Sequence, residues 1–150
     1  VKDNVGGSFI DTASSFAMIR GGHVDKTVLG ALQVDQHANI ANWMTPGKPA
    51  SGIGGAMDLC VGAGQVIVAM EMRTKTGAPK MLRDCTYPLT AAGVVTRVYT
   101  EMGVFTVSPE EGFVLIEKFS DYSVEDIQAA ADAPIHIAAD VKEIQLGVPL

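Results

Sequence analysis

Apolar positions along this chain fall into short runs, and the spacing and boundaries of each run predict an element. Asp11, Thr12 and Ser14 can cap a helix through Phe16-Ala17-Met18-Ile19, and Gly21-Gly22 can stop it. A short helix over 12–20 with a buried apolar side follows. Val28 to Val34 is apolar at nearly every position except Gln33, which predicts one strand covered on both faces. Ile40 to Met44 predicts a second short strand, ahead of a loop carrying Pro46-Gly47-Lys48-Pro49 and Ser51. Gly52-Ile53-Gly54-Gly55 then opens onto Ala56-Met57-Asp58-Leu59-Cys60, a helix that starts directly behind a glycine loop. Val66 to Met70 is β-branched or large throughout apart from Ala69, which predicts a buried strand with Glu71 at its end.

In the second half the punctuation is denser. Thr74-Lys75-Thr76-Gly77 predicts a turn, and Ala91 to Thr100 suits either a helix capped by Thr90 or a strand built on Val94, Val95 and Val98. Val104 to Val107 and Phe113 to Phe119 flank Ser108-Pro109-Glu110-Glu111-Gly112, the pattern of a β-hairpin. Ser123-Val124-Glu125-Asp126 is a capping-box variant before a helix over Ile127 to Ala131, and Ala133-Pro134 ends it ahead of a strand at Ile135-His136-Ile137. Helices alternating with strands imply an α/β layered architecture.

Composition narrows the function. The 150 residues are 47% hydrophobic and only 19% charged, which predicts one domain over 1–150 with a sizeable core and a face committed to a partner. A net charge of -6 with scattered Lys and Arg excludes a nucleic-acid binder. No run approaches the ~18 apolar residues of a membrane span. Cys60 and Cys85 lie outside any CxxC spacing and His23, His37 and His136 are far apart, so no metal site is expected and a reducing, cytoplasmic compartment is. Val1-Lys2-Asp3-Asn4 has neither an initiator Met nor a signal-peptide pattern, as in a chain that begins mid-protein.

The glycine loop is the first candidate for chemistry. Gly52, Gly54, Gly55 and Ala56 could aim backbone N–H groups at a phosphate, a carboxylate or an oxyanion, or form no more than a tight turn. Met57 stands where a dinucleotide fingerprint needs its third glycine, and no Walker lysine is present. Asp58 and Glu71 suit a ligand crevice; otherwise Asp58 complements its helix dipole and Glu71 pairs with Arg73 or Lys75. His23, near Arg20 and Asp25, could position a ligand or serve as a hydrogen-bonded loop histidine. Cys60, between Leu59 and Val61, reads as an inert core thiol, and Trp43 and Met44 as core or interface anchors.

Several longer motifs point to a family. Ser15-Phe16-Ala17-Met18-Ile19-Arg20-Gly21-Gly22-His23-Val24-Asp25, Val28-Leu29-Gly30-Ala31-Leu32-Gln33-Val34, Ala41-Asn42-Trp43-Met44, Pro46-Gly47-Lys48, Gly54-Gly55-Ala56-Met57-Asp58-Leu59 and Pro88-Leu89-Thr90 occur in order. Together they resemble the β-type subunit of family I CoA-transferases over nearly the whole chain. The resemblance implies a CoA-transferase-type layered fold, a mixed, largely parallel sheet flanked by helices with a late β-hairpin. It also implies CoA exchange between an acyl-CoA and a carboxylic acid through a glutamyl-CoA thioester, with coenzyme A as substrate and no cofactor. Gly52, Gly54, Gly55 and Ala56 would then serve the oxyanion or the CoA thioester, with Met57, Asp58, Glu71 and His23 around the substrate.

The family's nucleophile lies in a Glu-Asn-Gly motif upstream of the segment resembling 8–23, and this chain contains no Glu-Asn-Gly. The chain alone is therefore expected to be inactive, with an α-type subunit and an N-terminal β segment as partners. Met72, where relatives commonly carry His, and Pro49-Ala50-Ser51 depart from frequent versions of the motifs. Gln33-Val34-Asp35-Gln36 and Pro46-Gly47-Lys48 look like acetoacetate-using, short 3-oxoacid relatives, whereas Thr74 to Gly77 and Cys85 to Thr90 are similar to 3-oxoadipate CoA-transferases. A non-catalytic acyl-CoA-binding or assembly module, and hydrolysis in place of transfer, are the alternatives.

Overall fold

The computed structural model describes residues 5–49 and 52–145. In chain order the elements are α1 (Thr12–Arg20), β1 (Val24–Leu29), β2 (Gln33–Asp35), β3 (Ile40–Ala41), α2 (Ala56–Gly62), β4 (Ala63–Ala69), β5 (Met81–Leu82), β6 (Val95–Tyr99), β7 (Gly103–Ser108), β8 (Gly112–Lys118), α3 (Val124–Ala130) and β9 (Ile135–Glu143). The main sheet runs β1-β4-β6-β7-β8-β9, and β3-β2-β5 forms a smaller one. In the main sheet β1, β4 and β6 are parallel neighbours, β7 and β8 form an antiparallel hairpin, and β9 returns parallel to β8. The sheet is thus mixed and the late hairpin is where the Pro-Gly connector predicts it, with Gly112 left-handed at φ +67° and Ser108 Oγ accepting from the Glu111 N–H. Among the described residues no helix is long and apolar enough to cross a membrane.

Local signals placed the helices well. Asp11 accepts from the Ser14 N–H at 2.6 Å to start α1, and Ser123 and Asp126 complete the expected capping box of α3. The segment 91–100, open between helix and strand, is a strand from Val95, with Val95 and Val98 buried.

Three expectations need correction. The continuous strand over Val28 to Val34 is two strands in different sheets: β1 ends at Leu29, the chain breaks at Gly30 to Leu32, and the buried part is β2. Polar Gln33 and Asp35 are buried there with Val34, held by side-chain hydrogen bonds to distant backbone that a hydrophobicity pattern does not register. The strand over Ile40 to Met44 stops at Ala41, because Asn42 turns to Thr90, whose hydroxyl accepts from the Asn42 N–H and donates to its side-chain oxygen. The apolar side of α1 is not buried: none of its residues is, and Met18 is exposed, as are Phe9 and Ile10 ahead of the helix and Val28 of β1. Ala50 and Ser51 of the proline-rich loop lie outside the described residues.

The core gathers Val66 and Val68 of β4, Val95 and Val98 of β6, Phe105, Phe113 and Leu115 of the hairpin, Val34, Ile40 and Met81 of the small sheet, and Ile127 of α3. Polar contacts fix the small sheet to this core. The Asp35 carboxylate, 1% exposed, accepts from the backbone N–H groups of His37, Asn39 and Cys85 and from the Asn39 side-chain amide, at 2.9–3.1 Å. That arrangement supports a tight turn in which Ala38 takes φ +61°. The Ala38 carbonyl in turn accepts from Val94 and Val95 at the entry to β6, and Asn39 Oδ1 from Gly93. Replacing Asp35 by Leu is expected to lower the unfolding free energy in urea by about 3 kcal/mol, since each stranded buried donor costs ~1–3 kcal/mol. Asp35→Asn, which keeps one acceptor oxygen, should lose less.

Candidate functional site

At the glycine loop, left-handed torsions at Gly52 (φ +88°) and Gly54 (φ +55°) carry the chain into α2. Gly55 is the N-cap and supplies no side-chain cap; its carbonyl accepts from Leu59 N. Among the described residues no hydrogen bond uses the N–H groups of Gly54 and Gly55, whereas Ala56 N donates to Ile53 O at 3.3 Å. Gly54 and Gly55 therefore offer amides with no partner among the described residues, and the Ala56 amide, also an expected donor, is turned back into the loop.

Helix α1 clamps this segment at three points. A Cβ on Gly62 would lie only 2.2 Å from the Ile19 carbonyl oxygen, so that position excludes a side chain, whereas one on Gly55 would lie 3.0 Å from the Phe16 ring, a tight contact that the ring must yield to. Between them, Arg20 Nε donates to Asp58 Oδ1 at 2.7 Å, with the guanidinium 5.6 Å from the Phe16 ring centroid. Asp58 sits in the first turn of α2, where its charge also complements the helix dipole.

The expected site residues divide between places. Met57 and Asp58 join Arg20, Val61 and Gly62 around a cavity of about 290 Å³. Glu71, at the carboxyl end of β4, lines a different cavity of about 360 Å³ and forms no ion pair with Arg73 or Lys75. Arg73 instead donates to the carbonyls of Gly77 and Ala129. His23 lines neither cavity; its N–H donates to Met18 O at 3.0 Å and closes the end of α1, as a loop histidine does. Trp43 Nε1 donates to Leu89 O, which makes it a half-buried anchor between two loops.

Two groups of residues escaped the sequence reading. Gln33 holds the 86–87 segment: its Oε1 accepts from Thr86 N and Tyr87 N, both about 50 positions away. Lys80, in the cavity with Glu71, is half-buried and has its ammonium pushed below the usual lysine range by burial, an effect the charges of Glu71 and Glu101 oppose. A polar residue inside the apolar run 28–34 was a signal for Gln33; nothing in the spacing of Lys80 was one.

A family model described as Coenzyme A transferase matches residues 1–130. The chain belongs to the coenzyme A transferase family. It is 52% identical over 141 residues to the acetate CoA-transferase subunit beta of Haemophilus influenzae, covering 94% of this chain and 63% of that subunit. It is 45% identical over 141 residues to a mouse mitochondrial succinyl-CoA:3-ketoacid coenzyme A transferase, 2B, covering 93% of this chain and 27% of that protein. Among solved structures, the acyl-CoA transferase of Escherichia coli O157:H7 matches with a TM-score of 0.82 at 25% identity, over 92% of this chain and 31% of the other. The chain thus has the α/β coenzyme A transferase fold, and it spans less than two thirds of the length of these relatives.

Burial pushes the Cys60 thiol up, and burial with the nearby Asp35 charge pushes Cys85 up to about 12. Both stay protonated and unreactive near neutral pH. At about pH 8 the folded chain should give no rapid reaction with a thiol-titrating disulfide reagent, and the guanidinium-unfolded chain should react at both cysteines. Rapid labelling of the native chain at Cys85 would contradict this assignment.

Proposed function

We propose that this chain is part of a heteromeric CoA-transferase that moves CoA between an acyl-CoA, such as succinyl-CoA or acetyl-CoA, and a short 3-oxoacid such as acetoacetate. The observation that carries the reading is the pair of free amides at Gly54 and Gly55, presented by a left-handed loop in a member of this family. The nucleophile is a glutamate outside this chain. Its carboxylate attacks the thioester carbonyl, the Gly54 and Gly55 N–H groups hold the resulting oxyanion, and the CoA thiolate leaves a mixed anhydride. The thiolate then attacks the glutamyl carbonyl and releases the first acid, leaving a glutamyl-CoA thioester. The incoming acid takes CoA by the same two steps in reverse.

The uncovered surface supports the partners this reading requires. Phe9, Ile10, Met18, Met57 and Val61 are exposed, and among the described residues β1 is paired on one side only, so apolar surface and an open strand edge are both available to an α-type subunit and to the β segment that carries the nucleophile. Relatives include a beta subunit, so named, of which this chain spans 63%. No cofactor enters the chemistry, and a cytoplasmic enzyme fits the two unpaired cysteines. The similarity of 74–77 and 85–90 to 3-oxoadipate CoA-transferases favours that acid as the second reading.

By itself the chain is expected to transfer no CoA from succinyl-CoA to acetoacetate, and adding the Glu-Asn-Gly segment and an α-type subunit should restore transfer. Turnover by the chain alone would overturn the placement of the nucleophile. In the assembled enzyme, Gly54→Val should lower kcat by ~10²–10³, the loss typical of a missing oxyanion donor, with the mass of the complex unchanged. Wild-type rates in that variant would remove the loop from the oxyanion.

A further inference from the structure

The cavity that contains Glu71 lies where two adjacent parallel strands end. Leu32 follows β1 and Glu71 follows β4, and crevices outside the carboxyl ends of parallel strands are where α/β sheets place their ligands. Its volume of about 360 Å³ is at the small end of the ~300–1,000 Å³ typical of ligand pockets, which suits a small molecule.

The charge in this cavity runs against that of the chain. The protein carries a net charge of -6, yet Arg73, Lys75 and Lys80 line this one cavity with Glu71 as the single carboxylate. Glu71 does not neutralise them by direct contact: no ion pair joins it to any of the three. Arg73 is bound to neutral carbonyl oxygens, so its charge also remains uncompensated. The Lys80 ammonium, half-buried, has no hydrogen bond or ion pair among the described residues. Water is therefore partly withdrawn from a cation that the Glu71 and Glu101 charges reach through space but that neither carboxylate touches, so its donors stay open to a bound anion. The downward displacement of its pKa by burial agrees with that deficit. Leu32 and Tyr87 supply apolar wall beside it.

We propose that this cavity binds the carboxylate of a small organic acid, with Lys80 as its counter-ion and Leu32 and Tyr87 packing on its carbon chain. This goes beyond the proposed function, because the acid that takes CoA reacts at the glutamyl carbonyl beside the glycine loop and the carboxylate held here lies apart from that loop; only its biological role rests on that reading. Binding itself is independent of transfer and is measurable on this chain.

The experiment is a titration of the ¹⁵N-labelled chain with succinate, read from backbone amide resonances and the Lys80 Nζ signal, with sodium chloride at matched ionic strength as the control. The expected result is saturable shifts at Leu32, Gln33 and 71–81 that chloride does not reproduce. Lys80→Met should weaken binding about tenfold or more, the scale of a lost charge-assisted hydrogen bond, and Glu71→Gln should tighten it. The wild-type titration decides the matter even if Lys80→Met does not fold: shifts that fail to saturate, or that chloride matches, overturn the site. Undiminished binding in folded Lys80→Met overturns the role of Lys80. Stronger binding of inorganic phosphate on the same resonances overturns the carboxylate assignment. Saturable binding by a chain whose assembled enzyme shows no transfer would leave the site standing and remove the transferase reading.

Discussion

A buried carboxylate holds the two sheets of this protein in register. Asp35 takes four hydrogen bonds at almost no solvent exposure, three from backbone N–H groups and one from a side-chain amide. An ionised group out of water is tolerable only when its oxygens are satisfied, so this geometry is restrictive: the 37–39 turn and the 85 segment must both be in place. Asn39 extends the linkage to Gly93, and the Ala38 carbonyl extends it to the first residues of β6. The cavity near Lys80 inherits its walls from this frame, because Gln33, two residues earlier, holds Tyr87 in position.

What the sequence disclosed depended on the range over which each feature is determined. Helix α1, the capping box of α3 and the β7–β8 hairpin rest on contacts within a few residues, and they were readable to the residue or nearly so. The split of 28–34 between two sheets was not, since Gln33 and Asp35 are buried by partners some 50 positions away. Apolar periodicity assumes that what is buried is apolar, and here two of the three residues of β2 break that assumption. The site was legible unevenly for the same reason. The Gly52 to Ala56 loop announces itself in composition, while the free amides of Gly54 and Gly55, the turned-in amide of Ala56 and the bare ammonium of Lys80 are properties of torsions and distant neighbours.

The small helices show how a weak interaction can act through geometry. An exposed ion pair such as Arg20–Asp58 contributes little to stability in water, on the order of 0–1 kcal/mol. Its position matters more than its strength. It lies between two contacts, the Phe16 ring close on Gly55 and the Ile19 backbone on Gly62, and the second leaves no room for a Cβ, so the ion pair orients α2 about a pivot already fixed by backbone approach. Because α2 passes into β4 with no intervening residue, that orientation is also the entry angle of a central strand.

Among the described residues strand β1 has a neighbour on one side only, and its other side presents backbone donors and acceptors along a strand with exposed Val28. Such an edge templates further strands without regard to whose they are. Asp25 and Lys26 interrupt it, and they are the charges that would hinder two copies from zipping together. Whatever strand or chain lies along β1 therefore does more than add contacts: it withdraws from solution an edge that would otherwise pair indiscriminately.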